Sequence, residues 1–234
     1  MSRLDRWLYP GVAGHWDDEI FRERILAHIR PEHAVLDLGA GIGRVSQMHF
    51  DGLVARMCGV DPEPRVVDNP HLDEAKVGTG ESIPYPDETF DVVFSDNVLE
   101  HLDDPMGVFR DVHRVLKPGG VFLAKTPNKR HYVARIAAAT PHRFHVWVNR
   151  RRGRPSVDTF PTRYRANCRK DLQKICAHTN LELESIELVE GRPEYLRQNP
   201  VSYLAGFAYE RAVNATSLLE RYRCVLMMAA RRPR

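Results

Sequence analysis

Residues 34–44 read AVLDLGAGIGR, from Ala34 to Arg44. The apolar run Ala34, Val35 and Leu36 leads to Asp37, then Leu38 and glycines at three alternate positions, Gly39, Gly41 and Gly43. Pro31 and the polar pair after it mark where a preceding helix stops and a strand begins. Glycines spaced in this way let the backbone turn sharply and approach a ligand that a Cβ would hold off. Val45, Ser46 and Met48 then suit the start of a helix, expected to reach about Phe50, with its N-terminal amides aimed at the same place. The stretch reads as a first strand, a nucleotide-type loop and a first helix.

Two cofactor classes use such a loop, and spacing separates them. The dinucleotide fingerprint wants glycine or alanine three residues after the second glycine, where helix and strand pack closely. Arg44 stands there, and Gly43 comes one residue early. Asp37, two places before the first glycine, lies outside the dinucleotide rule. The form Asp-x-Gly-x-Gly-x-Gly over residues 37–43 resembles the first motif of the class I S-adenosylmethionine-dependent methyltransferases.

The following residues supply the other parts. A second strand, roughly Val54 to Val60, ends in Asp61-Pro62, about twenty residues past the loop, where a doubly wound fold places an acid for the ribose hydroxyls. A turn or helix-cap aspartate is the bland alternative. A weaker third strand falls in Glu74–Val77. The segment from Gly78 to Asp91 is similar to the family's Asp-Ala-x-x-Leu-Pro-Phe-x-Asp-x-x-Phe-Asp stretch, with Thr79 in place of the early Asp and Glu81 two residues later. Val92-Val93-Phe94 is nearly all apolar, as a strand covered on both faces should be. It ends in Ser95-Asp96-Asn97, at the edge where open α/β sheets bind ligands. Leu99-Glu100-His101-Leu102-Asp103-Asp104-Pro105 closely resembles the family's Leu-Glu-His-x-x-Asp-Pro. A helix from Pro105 to Leu116, a Lys117-Pro118-Gly119-Gly120 turn and a fifth strand from Val121 to Lys125 follow. The resemblance thus covers residues 34–128 in order.

It implies a Rossmann-like α/β fold: seven strands, mostly parallel, with helices on both faces and the last strand inserted antiparallel. Asn167–His178 (helix), Leu181–Leu188 (strand), 200–221 (a helix, broken or whole) and Cys224–Ala230 (strand) provide the remaining elements. The resemblance also implies that S-adenosyl-L-methionine is the cofactor. Asp37, Gly39, Ala40 and Gly41 would hold its methionine end, Asp61 and Pro62 the ribose, and Gly80, Glu81, Asp96 and Asn97 the adenine side. Acceptors in this family are mostly small molecules, so O-methylation of a metabolite, sugar or quinone-like precursor is expected. An oxygen acceptor needs a general base, for which His101 and His131 are the placed candidates; each also has a structural or binding reading. One branch of the family carries a Glu-x-x-Glu-His run associated with a divalent metal. Asn97 replaces its first Glu here, so no metal ligands are assigned.

Outside residues 34–128, an N-terminal helix is expected over Asp17–Ile29 after the turn-rich WLYPGVAGHW. Segment 1–30 reads as a helix packed on the sheet or, in the way such segments serve the resembled family, as a cap with Tyr9 and Trp16 able to close over the cofactor. Segments 129–166 and 189–222 read as substrate-covering insertions. Arg150, Arg151, Arg152 and Arg154 form a basic loop, either simply solvated or able to attract an anionic acceptor or lipid surface.

The chain has 234 residues, a net charge of +3 and four cysteines without zinc or C-x-x-C spacing. One domain is expected, with reduced thiols, no signal core and a cytoplasmic location. The small net charge argues against DNA as a partner. An RNA methyltransferase is the rival enzyme, favoured by the arginine loop but lacking an added RNA-binding module. A cofactor-binding, non-catalytic regulatory subunit is the rival of another class.

Overall fold

The computed structural model describes residues 2–11, 16–139, 161–197 and 199–234. Strand β1 (Ala34–Leu38) lies between β2 (Arg56–Asp61) and β4 (Phe90–Asp96), parallel to both. Strand β3 (Glu74–Val77) adds in parallel beyond β2, and β5 (Leu116–Pro127) beyond β4. Strand β7 (Val225–Arg231) then runs antiparallel between β5 and β6 (Glu182–Val189). The order is β3-β2-β1-β4-β5-β7-β6, the seven-stranded mostly parallel sheet that the sequence leads one to expect. Successive strands depart to opposite sides of β1, so the chain reverses direction between β1 and β4. Their carboxyl ends therefore open a crevice.

Both faces of the sheet are covered, and the side-chain alternation of each strand says by what. Leu36, Val93, Phe122 and Met228 point to a core shared with α3 (Pro105–Val115) and α5 (Arg169–His178), through Phe109, Val112, Leu172 and Ile175. Val35, Phe94, Leu123 and Met227 point the other way, onto Phe21 and Ile25 of α2 (Trp16–Leu26). Burying each such side chain is worth roughly 1.5–3 kcal/mol. Helix α3 starts where the sequence puts it, with the Asp104 carboxylate accepting the Gly107 amide at 3.0 Å and Pro105 in the first turn.

Two expectations need correction, and one helix is new. The first helix after the glycine loop is only a 3₁₀ turn, Ser46–Met48. Its carbonyls are taken by a side chain instead of a helical ladder: the Arg22 guanidinium donates to the Gln47 and His49 carbonyls, both at 2.7 Å. The chain leaving the loop therefore presents it with a single 3₁₀ turn and not with the N-terminus of an α-helix. Ahead of the turn-rich stretch lies a helix that the sequence reading did not anticipate, α1 (Ser2–Leu8), which overlaps that stretch only at Trp7 and Leu8. The Lys117–Gly120 turn lies inside β5, which already pairs at Leu116 with Phe90 and then shifts register. Gly119, at φ +82°, and Gly120 exchange backbone hydrogen bonds of 2.9 Å with Arg232, so the corner is absorbed into the sheet edge.

The remaining helices, α4 (Tyr132–Ala139) and α6 (Pro200–Ala215), frame the end of the sheet where β5 leaves it and β7 enters. Tyr9, which the cap reading would place over the cofactor, is buried against Tyr203 and Phe207, and its hydroxyl donates to Glu210 at 3.2 Å. The Trp16 ring lies against Gly191. Both aromatics fasten the N-terminus to the region before and within α6 rather than to the crevice. Among the described residues no helix is long and apolar enough to cross a membrane. The Arg150–Arg154 loop lies outside the described residues.

Candidate active site

At the crevice, three strand ends deliver three carboxylates: Asp37 from β1, Asp61 from β2 and Asp96 from β4. They line a cleft of about 300 Å³ with Gly39, Ala40, Gly41, Gly43, Asn69 and Leu72 among its walls. The glycine loop continues β1's pairing, since the Gly39 amide donates to the Val60 carbonyl at 2.8 Å. It then turns through Gly39, Gly41 and Gly43 at φ +91°, +49° and +73°. A Cβ at Gly39 would meet Val98 Cγ2 at 2.2 Å, whereas one at Gly41 would meet nothing within 4 Å. Gly39 is thus a packing requirement, and Gly41 leaves open space on the cleft side.

Asp61 pins this loop. Its Oδ2 accepts the Gly41 amide at 2.9 Å and its Oδ1 accepts the Glu63 amide at 2.8 Å. Each oxygen keeps a further lone pair. Asp37 is buried, and that burial, with Asp96 and Asp61 close by, raises its carboxyl well above the ordinary range. Burial also pushes Asp96 up to about 7, while the Lys125 ammonium pulls the other way. Lys125 is fully buried, 3.0 Å from Asp96 and 3.2 Å from Asp17, and also paired with Asp18. Burial opposes its charge, but the three carboxylates outweigh that and raise its pKa.

Of the expected cofactor residues, Asp37, Gly39, Ala40, Gly41, Asp61 and Asp96 come together around the cleft; Pro62, Gly80, Glu81 and Asn97 are not among its lining. Gly80 is packed on Val108. Asn97, at φ +54°, turns the chain away from β4, its side-chain amide on Asp96 at 2.8 Å. Neither histidine lines the cleft. His101 holds the Pro161 carbonyl through Nδ1 at 3.0 Å, and burial lowers its pKa. His131 is 3 % exposed, and burial lowers it to about 4.

Several residues escaped the sequence reading. Asn69 reaches the Ala40 and Gly41 carbonyls at 3.4 and 3.3 Å and braces the loop from behind. His49, stacked on His71 with ring centres 3.4 Å apart, bonds the Gly43 carbonyl at 3.0 Å. Lys125 alone carried a signal: a lysine in the apolar run Val121–Thr126 has to find buried partners. A second cleft, about 440 Å³, is lined by Arg130, Tyr132, Arg135, Ile136, Tyr209 and Tyr222, where α4 meets α6.

Comparison with known proteins adds to this geometry. A family described as "Methyltransferase domain" matches residues 36–124. The chain is 37 % identical over 106 residues to an uncharacterized methyltransferase, YcgJ, of Bacillus subtilis, covering 42 % of each protein. It is 32 % identical over 139 residues to a ubiquinone biosynthesis O-methyltransferase of Ruegeria pomeroyi, covering 54 % of this chain and 52 % of that protein. The chain spans about half the length of the curated relatives it matches. Among solved structures, the putative methyltransferase crystallised with the Haloferax volcanii Trm112 activator superposes with a TM-score of 0.60 at 20 % identity, over 98 % of this chain and 97 % of that one.

Proposed function

Residues 36–124 match the methyltransferase-domain family, and from that premise we propose that this chain is a class I methyltransferase that binds S-adenosyl-L-methionine at the β1/β4 crevice and methylates an oxygen of a small-molecule acceptor. The observation that carries the reading is the ring of three carboxylates, Asp37, Asp61 and Asp96, around a cleft floored by the glycine loop. That donor set suits a ligand bearing a sulfonium, an ammonium and a ribose diol. The lone pairs left on Asp61 match the diol, and the open side of Gly41 leaves room for the ligand. When bound, this cofactor supplies a methyl group activated on a positively charged sulfur.

What the protein's own residues contribute is grip, exclusion of water and an acceptor held in line. Asp37 and residues 39–41 take the methionine end, and Asp61 takes the ribose. Lys125 holds Asp96 in place at the cleft wall. On the acceptor side, His101 serves as the base for a hydroxyl. Its Nδ1 bonds the Pro161 carbonyl at 3.0 Å, its Nε2 lies 3.8 Å from the Glu100 carboxylate, and burial lowers its pKa, which favours the neutral ring that a base needs. The cleft of tyrosines with Arg130 and Arg135 fits an acceptor that carries a ring and a negative charge. The similarity to a ubiquinone biosynthesis O-methyltransferase supports an aromatic hydroxyl as the acceptor group.

Calorimetry with S-adenosylmethionine, its demethylated product and NAD tests the cofactor. The first two should bind and NAD should not. Asp61→Ala should weaken cofactor binding by roughly 1–3 kcal/mol by leaving polar groups unpaired. Transfer of a labelled methyl group, screened against acidic phenols, sugars and total RNA, tests the acceptor. Labelling confined to RNA would replace the small-molecule reading, and binding without any transfer would make the chain a regulatory subunit.

A further inference from the structure

The ends of the last three strands bring a further set of side chains together. His131 follows β5, Glu190 follows β6 and Cys224 precedes β7. The sheet register is responsible: Val225 pairs with Pro127 on one side and with Val189 on the other. The junction is stiff, because the Asn128 amide donates to the Cys224 carbonyl at 2.8 Å. The Asn128 side chain also donates to the Arg221 and Arg223 carbonyls at 2.9 and 2.7 Å. One donor atom from each of His131, Glu190 and Cys224 then lies within 4.8 Å of the other two.

Two of these atoms are buried without a partner. His131 Nε2 and Glu190 Oε2 have no hydrogen bond, although the side chains are only 3 % and 4 % exposed. Buried polar atoms are seldom left unsatisfied, so two side by side call for a ligand. They stand 3.5 Å apart, too far to satisfy one another well.

We propose that His131, Glu190 and Cys224 form a binding site for one divalent cation of the zinc class. Imidazole, carboxylate and thiolate together are the donors that zinc accepts, whereas magnesium and calcium want oxygen alone. A thiolate and a carboxylate carry two negative charges, which the cation neutralises in a setting that would otherwise penalise them. With zinc bonds of about 2.0–2.3 Å, tetrahedral ligands sit roughly 3–4 Å apart, a spacing that His131 Nε2 and Glu190 Oε2 already have at 3.5 Å, so at most about 1 Å of closure is needed elsewhere in the set. Ligation at His131 Nε2 puts the ring proton on Nδ1 and displaces the long contact from the Val133 amide, 3.4 Å. The cation would clamp three strand ends beside the tyrosine cleft, where the His131 ring lies 4.2 Å from Tyr132 and 5.5 Å from Tyr209. The site involves no residue of the carboxylate crevice and does not depend on the methyl-transfer reading.

Zinc titrated into metal-free protein against a chromophoric chelator tests this directly, with magnesium as the control. One equivalent should bind, unaffected by excess magnesium. Cys224→Ser and Glu190→Gln should each weaken it by roughly tenfold or more, given that even the outer partners of zinc ligands cost 10–100-fold. Cobalt in place of zinc should give a thiolate charge-transfer band in wild type that Cys224→Ser abolishes. Failure of zinc to bind, or equal affinity in Cys224→Ser, overturns the proposal. Should that variant not fold, absence of the cobalt band from the wild type overturns it equally.

Discussion

At the scale of single residues, two positions show how much a local environment decides. Gly39 sits at φ +91° with Val98 where its Cβ would be. Gly39→Ala should therefore cost stability twice: roughly 1–2 kcal/mol for the left-handed backbone and more for displacing Val98. Thermal melts should show the loss, and Val98→Ala added to it should restore only the steric part. Glu100, 5 % exposed, accepts the Thr126 hydroxyl at 2.9 Å, and burial pushes its carboxyl up to about 7 from an ordinary 4.5. Between those two values the folded chain keeps a proton that the unfolded chain has lost. Stability should then fall as pH rises through that window, by up to about 1.4 kcal/mol per pH unit, and level off above it. Glu100→Gln should flatten this part of the profile in urea unfolding at about pH 5 and about pH 8. An unchanged slope would remove Glu100 from the account.

Among the elements, helix α2 has the most to explain, because its link to the sheet is ionic at one end and apolar at the other. Phe21 and Ile25 bury against the sheet, while Asp17 and Asp18 in the first turn reach the Lys125 ammonium beneath them. Lys125→Met would take from Asp18 and Asp96 the buried ammonium that they share. That should cost roughly 3–5 kcal/mol, the range for breaking a buried ion pair from one side. Asp17→Asn, at a side chain 29 % exposed, should cost much less. Chemical denaturation of both variants orders the effects, and equal losses would contradict this assignment. The Arg24–Glu187 pair from the same helix is exposed and adds little.

The whole molecule depends on β7 more than on any terminal strand of an ordinary open sheet. It is interior, paired on both edges, and buries Leu226, Met228 and Ala230 on one face and Val225, Met227 and Ala229 on the other. A chain stopped at Arg223 would expose the edge of β5 and leave β6 without a partner in the sheet. It should show no cooperative melting transition by circular dichroism, whereas loss of residues 2–8, which carry α1 alone, should leave one. A cooperative transition in the shortened chain would show that β5 and β6 can be covered without β7.

The sequence by itself determined what depends on neighbours along the chain. Apolar runs, glycine spacing and punctuation marked β1 to β5 and α3, and an acid at the end of a strand twenty residues on singled out Asp61. Those signals are local because strand period, turn conformation and helix caps each need only a few consecutive residues. They misled where a side chain from elsewhere replaced a local bond: Arg22 caps the segment in which a helix was expected, and Arg232 draws the Lys117–Gly120 corner into the sheet. Only the tertiary structure decided who partners the buried charges and polar atoms. Lys125 meets Asp17 and Asp18 across more than a hundred residues, and Asn69 braces a loop nearly thirty residues before it. His131, Glu190 and Cys224 converge only because β7 pairs simultaneously with β5 and β6. Such encounters leave no spacing in the sequence, since the separation between partners is set by the strand order and not by any period of the chain.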